Sequence, residues 1–120
     1  MKIKELLFVS ILLLSIGLNA QAPDPISDLL ASNTTEITTD LTWTTPAGTV
    51  TEYRVFQDAS QIATTANTFF DVTGLTIDTS YDFTVYAFNL TEGSTVSNTE
   101  TALTLDVTPP SNVTNLVNGG

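Results

Sequence analysis

The run Tyr81-Asp82-Phe83-Thr84-Val85-Tyr86-Ala87-Phe88-Asn89 alternates without a break. Tyr81, Phe83, Val85 and Ala87 fall on one side of an extended chain, and Asp82, Thr84, Tyr86 and Phe88 fall on the other. Successive side chains of a strand point to opposite faces, so a period of two specifies a half-buried strand and does not suit a helix. From residue 24 to 107 no stretch shows helical periodicity, Thr is abundant, and the segments are short and separated by turn residues. Such a pattern favours a sandwich or barrel of antiparallel strands.

Seven strands are expected. The first runs from about Ile26 to Ser32, entered through Pro23 and Pro25, and the second from Glu36 to Thr44. In the second, Ile37, Leu41 and Trp43 share one face, with Glu36, Asp40 and Thr42 on the other. Thr45-Pro46-Ala47-Gly48 is a turn by its Pro and Gly content. The third covers about Val50 to Asp58, with Tyr53 and Val55 facing one way and Arg54 and Phe56 the other. A weaker strand at Gln61 to Thr65 and one at Thr68 to Thr73, with Phe70 and Val72 inward, precede the run at Tyr81 to Asn89. Asn89-Leu90-Thr91-Glu92-Gly93 then turns the chain into a last strand, about Thr95 to Leu105.

With these spacings the chain from Pro23 to Leu105 resembles a fibronectin type III module. The residues that carry the likeness are Leu41-Thr42-Trp43, Tyr53-Arg54-Val55, Gly74-Leu75, Thr79-Ser80-Tyr81, Val85-Tyr86-Ala87-Phe88-Asn89, Gly93 and Ser97. The family's run Leu-x-Pro-x-Thr-x-Tyr stands here as Leu75-Thr76-Ile77-Asp78-Thr79-Ser80-Tyr81, with Ile77 where Pro is usual. The resemblance implies a seven-stranded antiparallel immunoglobulin-like β-sandwich. Trp43 would plug the space between the sheets, Leu75 would cap one end of the core, and Tyr81 would be the tyrosine corner, its hydroxyl bonded to nearby backbone. The expected core is Leu41, Trp43, Tyr53, Val55, Phe70, Val72, Leu75, Tyr81, Phe83 and Val85.

The ends of the chain differ in character from this middle. Met1-Lys2-Ile3-Lys4 is a short basic start, Leu6 to Leu18 is apolar apart from Ser10, Ser15 and Gly17, and small residues follow at Ala20 and Ala22. That order defines a secretory signal peptide, and the apolar run is short of the roughly 20 residues a membrane span needs. Residues 1–20 are read as the signal, with cleavage after Ala20 or, alternatively, Ala22, and residues 21–107 as the module. At the other end Pro23-Asp24-Pro25-Ile26-Ser27-Asp28-Leu29-Leu30 lines up, at an offset of 87, with Pro110-Ser111-Asn112-Val113-Thr114-Asn115-Leu116-Val117. Residues 108–120 are therefore read as a linker and the start of a second, truncated module.

Once the signal and its Lys2, Lys4 and Glu5 are removed, twelve of the thirteen acidic residues remain against Arg54 alone, a net charge near −11. Such a surface keeps a small domain soluble, and it excludes nucleic acid and anionic lipid as partners. The carboxylates lack the DxDxDG-like clustering of a Ca²⁺ loop, so no metal site is assigned. Cysteine is absent, so the exported domain relies on its hydrophobic core alone.

The chemical inventory excludes most catalysis. Without His or Cys, and with no Lys after residue 4, the chain lacks the common general base, the thiol nucleophile, the Schiff-base amine and the usual zinc ligands. No GxGxxG or GxxxxGK[ST] run is present to cradle phosphate, so no cofactor is expected. Carboxylate pairs remain, and they need a cleft that a small filled sandwich does not offer. Asp78-Thr79-Ser80 looks at first like the loop of an aspartic protease, but it occurs once and lacks the following Gly. Its place between Leu75 and Tyr81 makes Asp78 a solvent-facing turn residue instead. No catalytic residue is assigned, and an enzymatic role is not expected.

Arg54 and Phe56 of the third strand face outward, as do Tyr86 and Phe88 of the sixth, and in the family these strands are neighbours. The four form the expected interaction surface, either as cross-strand pairing or as a docking patch for a protein, a glycan or the next module. The Arg-Gly-Asp adhesion tripeptide of the family is missing, since Val55 follows Arg54. Asn33-Thr34-Thr35, Asn89-Leu90-Thr91 and Asn112-Val113-Thr114 match the glycosylation sequon, but the short signal and cysteine-free module look bacterial, so they are read as chance. The expected function is that of a secreted or cell-surface, non-catalytic spacer or adhesion module in a larger extracellular protein. The alternatives are an accessory module of an exported hydrolase and a stand-alone binding protein.

Overall fold

The computed structural model describes residues 21–107 and Pro109. The signal at 1–20 and, apart from Pro109, the linker and second module start at 108–120 lie outside the described residues. Within them the alternation folds into seven strands: β1 (Leu30–Ser32), β2 (Thr39–Thr42), β3 (Glu52–Gln57), β4 (Ser60–Thr65), β5 (Phe69–Val72), β6 (Ser80–Phe88) and β7 (Glu100–Leu103). They form two antiparallel sheets, ordered β1-β2-β5 and β4-β3-β6-β7, so the fold is an all-β immunoglobulin-like sandwich.

The inward face of each strand closes on its counterpart. Leu41, Trp43, Tyr53, Val55, Val72, Leu75, Phe83 and Val85 are buried, and Ile26, Leu29, Ala87 and Ala102 join them. Phe70 and Tyr81 are only half-buried and pack against this cluster from its margin. The whole core thus lies between Ile26 and Thr104, the latter a buried Thr whose hydroxyl donates to Thr76 C=O at 2.6 Å. Tyr81 accepts a hydrogen bond on its phenolic oxygen from Thr76 N–H at 3.0 Å, which ties the β5–β6 connection to the strand it enters. Asp78 sits exposed in that connection with φ of 49°, a left-handed value that short polar side chains tolerate.

Three expectations need correction. Ile37 does not face inward; it is 52% exposed, and Thr39 takes the inner position instead. The cause is local hydrogen bonding: Asn33 has φ of 48°, and the Thr35 hydroxyl accepts from the N–H groups of Ile37 and Thr38 at 3.3 and 3.0 Å. A Thr that offers the backbone an alternative partner breaks the strand, so residues 33–38 turn and β2 starts only at Thr39.

The first strand is shorter than expected, starting at Leu30, because the backbone groups of Leu29 just before it bond a side chain and not a neighbouring strand. Ile26 and Leu29 are nevertheless buried, held by side chains rather than by pairing. Asn98 donates from its amide to Leu29 C=O and accepts from Leu29 N–H, both at 2.9 Å, while Asp28 accepts from the Thr44 hydroxyl at 2.7 Å and the Thr44 N–H at 3.1 Å.

The last strand also begins late, at Glu100 rather than Thr95. Ser94 and Ser97 run beside β6 but use their hydroxyls where a ladder would use carbonyls. Ala87 N–H donates to Ser94 Oγ at 3.0 Å and Val85 N–H to Ser97 Oγ at 2.8 Å. Their own N–H groups donate back to Ala87 and Val85 C=O at 2.8 and 3.0 Å, so the backbone of β6 is satisfied without a regular partner strand.

Two outcomes test this packing. Leu41→Ala should cost about 2–5 kcal/mol and Ile37→Ala less than about 0.5 kcal/mol, read from urea unfolding midpoints. The Thr44 hydroxyl, and after it the Thr44 N–H, hold the Asp28 carboxyl below the usual carboxylate range. Its stabilising contribution is therefore present above the unfolded pKa of about 3.9 and is lost as pH falls through the lower folded value. Asp28→Ala should be less stable than the parent near neutral pH, and the gap should narrow progressively in acid denaturation series below about pH 4.

Candidate interaction surface

Antiparallel register decides what meets on the outer face of the larger sheet. β3 pairs with β6 so that Glu52 opposes Phe88, Arg54 opposes Tyr86 and Phe56 opposes Thr84. Inward Tyr53, Val55, Val85 and Ala87 lie between them, so the period of two that fills the core also sets Glu52, Arg54, Phe56, Thr84, Tyr86 and Phe88 on one outer surface. The four residues expected from the sequence are thus brought together, each half-buried.

They contact each other along the sheet diagonals. The Arg54 guanidinium carbon lies 3.8 Å from the centroid of the Phe88 ring. The Phe56 and Tyr86 rings meet edge-on at 5.2 Å between centroids with an interplanar angle of 64°. Diagonal neighbours across an antiparallel pair are within reach of long and aromatic side chains. The result is a stripe, Phe88–Arg54–Tyr86–Phe56, of π faces around one delocalised cation.

The sequence reading left out two participants. Glu52 is two residues from Arg54 and therefore on the same face; its Oε1 accepts from Arg54 Nε and lies at 2.8 Å from both Nε and Nη2. The side chains are 40% and 36% exposed, so this ion pair contributes only about 0–1 kcal/mol and serves to orient the guanidinium. Gly93 is the other. It bridges Phe88, and a Cβ there would stand 2.5 Å from Phe88 Cε1. The Phe88 ring is therefore in contact with the bare Gly93 backbone as well as with Arg54, which gives that landmark a packing reason.

Elsewhere the described residues offer little chemistry. Among them no group of three or more His, Cys, Asp or Glu side chains converges as for a metal ion. A hollow of about 360 Å³ at the N-terminal pole is lined by Gln21, Ala22, Asp24, Ala47, Gly48 and Thr49, with Asp24 its only titratable side chain. Asp78 donates its N–H toward Leu105 C=O at 3.4 Å, a turn contact. Asn89 of the second sequon is buried, with its amide donating to Gln21 C=O at 2.7 Å and its oxygen accepting from the N–H groups of Thr91 and Glu92.

Comparison with known proteins agrees with this architecture. Residues 24–102 match the family model of the fibronectin type III domain. Domains A168–A170 from titin are similar at 30% identity and a TM-score of 0.67, over 72% of this chain and 34% of that one. A structure of titin kinase and its flanking domains is similar at 29% identity and a TM-score of 0.64, over 71% of this chain and 18% of that one. The chain thus spans well under half the length of either. A structure described as FN3tt mut is covered in full, at 25% identity, 72% coverage of this chain and a TM-score of 0.63. No curated protein matches the sequence.

The Phe88–Gly93 contact gives a test by double-mutant cycle. Gly93→Ala should displace the Phe88 ring and destabilise the domain by about 1 kcal/mol, the overpacking cost less the entropy gained by replacing Gly. The cost of Arg54→Ala should then fall by about 0.5–1 kcal/mol in the Gly93→Ala background, because the stacking is already lost. Urea unfolding of the four proteins in the cycle measures both.

Proposed function

We propose that this chain, which belongs to the fibronectin type III family, is a non-catalytic module serving as spacer and protein-interaction unit in a larger extracellular protein. The observation that carries the reading is the Phe88–Arg54–Tyr86–Phe56 stripe, an outward face rich in aromatics with one Arg on a sandwich whose interior is filled. Aromatic residues and Arg are enriched at the centres of interfaces, where they bring large area at low entropic cost. The internal pairings of the stripe give it a fixed shape before any partner arrives, which lowers the ordering cost of binding.

Export through residues 1–20 supplies the compartment. The basic start, apolar run and small residues support it. No helix among the described residues is long and apolar enough to cross a membrane. The titin structures that resemble this chain hold several domains, a context in keeping with a module among modules.

The test is binding of the module, residues 21–107, to glycan and protein arrays, alongside a variant carrying Phe56→Ser and Tyr86→Ser. The variant should lose the parent's binding while still unfolding cooperatively, with a stability loss of at least the roughly 0.5–1.5 kcal/mol that the pair contributes. Equal binding by both proteins would remove the stripe as the docking patch.

A further inference from the structure

The C-terminal pole of the module carries apolar side chains that are left exposed. Ile37, Ile77, Leu105 and Val107 are each about half exposed or close to it. Three backbone hydrogen bonds gather the loops that bear them: Leu75 N–H to Ile37 C=O at 3.0 Å, Leu105 N–H to Thr35 C=O at 2.9 Å, and Asp78 N–H to Leu105 C=O at 3.4 Å. Exposed apolar residues gathered in one place, unlike those scattered singly, mark a surface that something covers. The chain itself leaves the module here.

The sequence repeat gains weight from the structure. In the opening segment the buried residues are Pro23, Ile26 and Leu29, while Asp24, Pro25, Ser27 and Asp28 are exposed. At the offset of 87 the sequence has Pro110, Val113 and Leu116 opposite Pro23, Ile26 and Leu29. Asn115 stands at the position of Asp28, with an amide oxygen able to accept the bonds that Asp28 takes from Thr44. Residue type is thus kept where the first segment is buried and varies most where it is exposed, the pattern of a second module built on the same plan.

The connection between the two is short. Among the described residues the last buried one is Thr104, and Leu105 to Pro109 separate it from Pro110. Five residues reach at most about 17 Å when extended, and proline stiffens them. At the N-terminal pole of a module the incoming chain is flanked by Leu90, which is 90% exposed, next to Asn89 and its bond to Gln21 C=O. A following module of this plan therefore brings its N-terminal pole, where Leu90 is the exposed apolar side chain of the plan, within contact distance of the apolar C-terminal pole.

We propose that Ile37, Ile77, Leu105 and Val107 form the seat for the N-terminal pole of a following module that begins at Pro110. Consecutive modules then stack as one stiff unit and do not swing on a loose string. This rests on the reading of the chain as part of a multi-module protein.

The experiment uses the chain from residue 21 continued through its own downstream sequence for one further module length, with the single module as reference. Amide ¹⁵N relaxation should show the two modules tumbling as one body. Ile77→Ser with Leu105→Ser, or Ile37→Ser alone as a milder variant, should shorten the correlation time toward that of the single module. Trp43 fluorescence reports that the core stays folded in each variant. Independent tumbling in the parent, or rigid tumbling in both variants, overturns the seat while leaving the multi-module reading intact. A downstream sequence that holds no module overturns both. Concentration-dependent pairing of single modules that Leu105→Ser abolishes would assign the pole to contacts between chains and overturn the intrachain seat.

Discussion

Trp43 meets Tyr53 edge to face, with ring centroids 5.3 Å apart and planes at 68°, and this contact joins the two sheets. Trp43 follows β2 in one sheet and Tyr53 lies on β3 in the other. With no cysteine in the chain, no covalent link between the sheets shares the task. The indole also carries a cost. Its Nε1 is buried with no hydrogen-bond partner among the described residues, a loss of about 1–3 kcal/mol. Burying a ring of roughly 200 Å² at about 25 cal/mol per Å² gives around 5 kcal/mol, so apolar area outweighs the orphan donor. Leu41, Val55, Phe83 and Val85, all at 0% exposure, close around the same region, which is why every strand but the outermost is oriented by it.

Once the core is set, the edges become the problem, because a sheet edge leaves N–H and C=O groups unpaired. At the β1–β7 side this sandwich closes the gap with side chains. Asn98 satisfies both backbone groups of Leu29, and a Glu100 carboxylate oxygen accepts from Ala31 N–H at 3.3 Å. Ser94 and Ser97 do the same for β6 with their hydroxyls. Polar side chains near the end of the sequence thus stand in for strand pairing, and they leave the C-terminal pole as the place where apolar residues gather uncovered.

The outer stripe costs the fold little, since it reuses the alternation of strands that the core already holds in register. Glu52 and Phe88 keep the guanidinium of Arg54 in one place, and Gly93 gives the Phe88 ring its room. The pairings inside the stripe and its service as a docking face are compatible: contacts of roughly 0.2–1.5 kcal/mol each fix its shape, and the aromatic area remains at the surface.

Much of this was legible in the residues themselves. Period-two runs at Tyr53–Phe56 and Tyr81–Phe88 determined the all-β class, the inward set and the outward set, because side-chain direction along a strand depends only on position. The landmark order from Leu41 to Ser97 likewise pointed to the family. The sequence did not reveal where strands stop. Thr35 draws the backbone into a turn and exposes Ile37, and Ser94 and Ser97 replace a ladder with hydroxyls; both depend on which competing hydrogen bond wins, and that is settled only when the partner groups are in place. Nor did it reveal that Gly93 lies against Phe88 or that Asn98 bonds Leu29 across 69 positions. Local alternation was written in the chain, whereas long-range register, edge closure and the convergence of Ile37, Ile77 and Leu105 at one pole required the two sheets to meet.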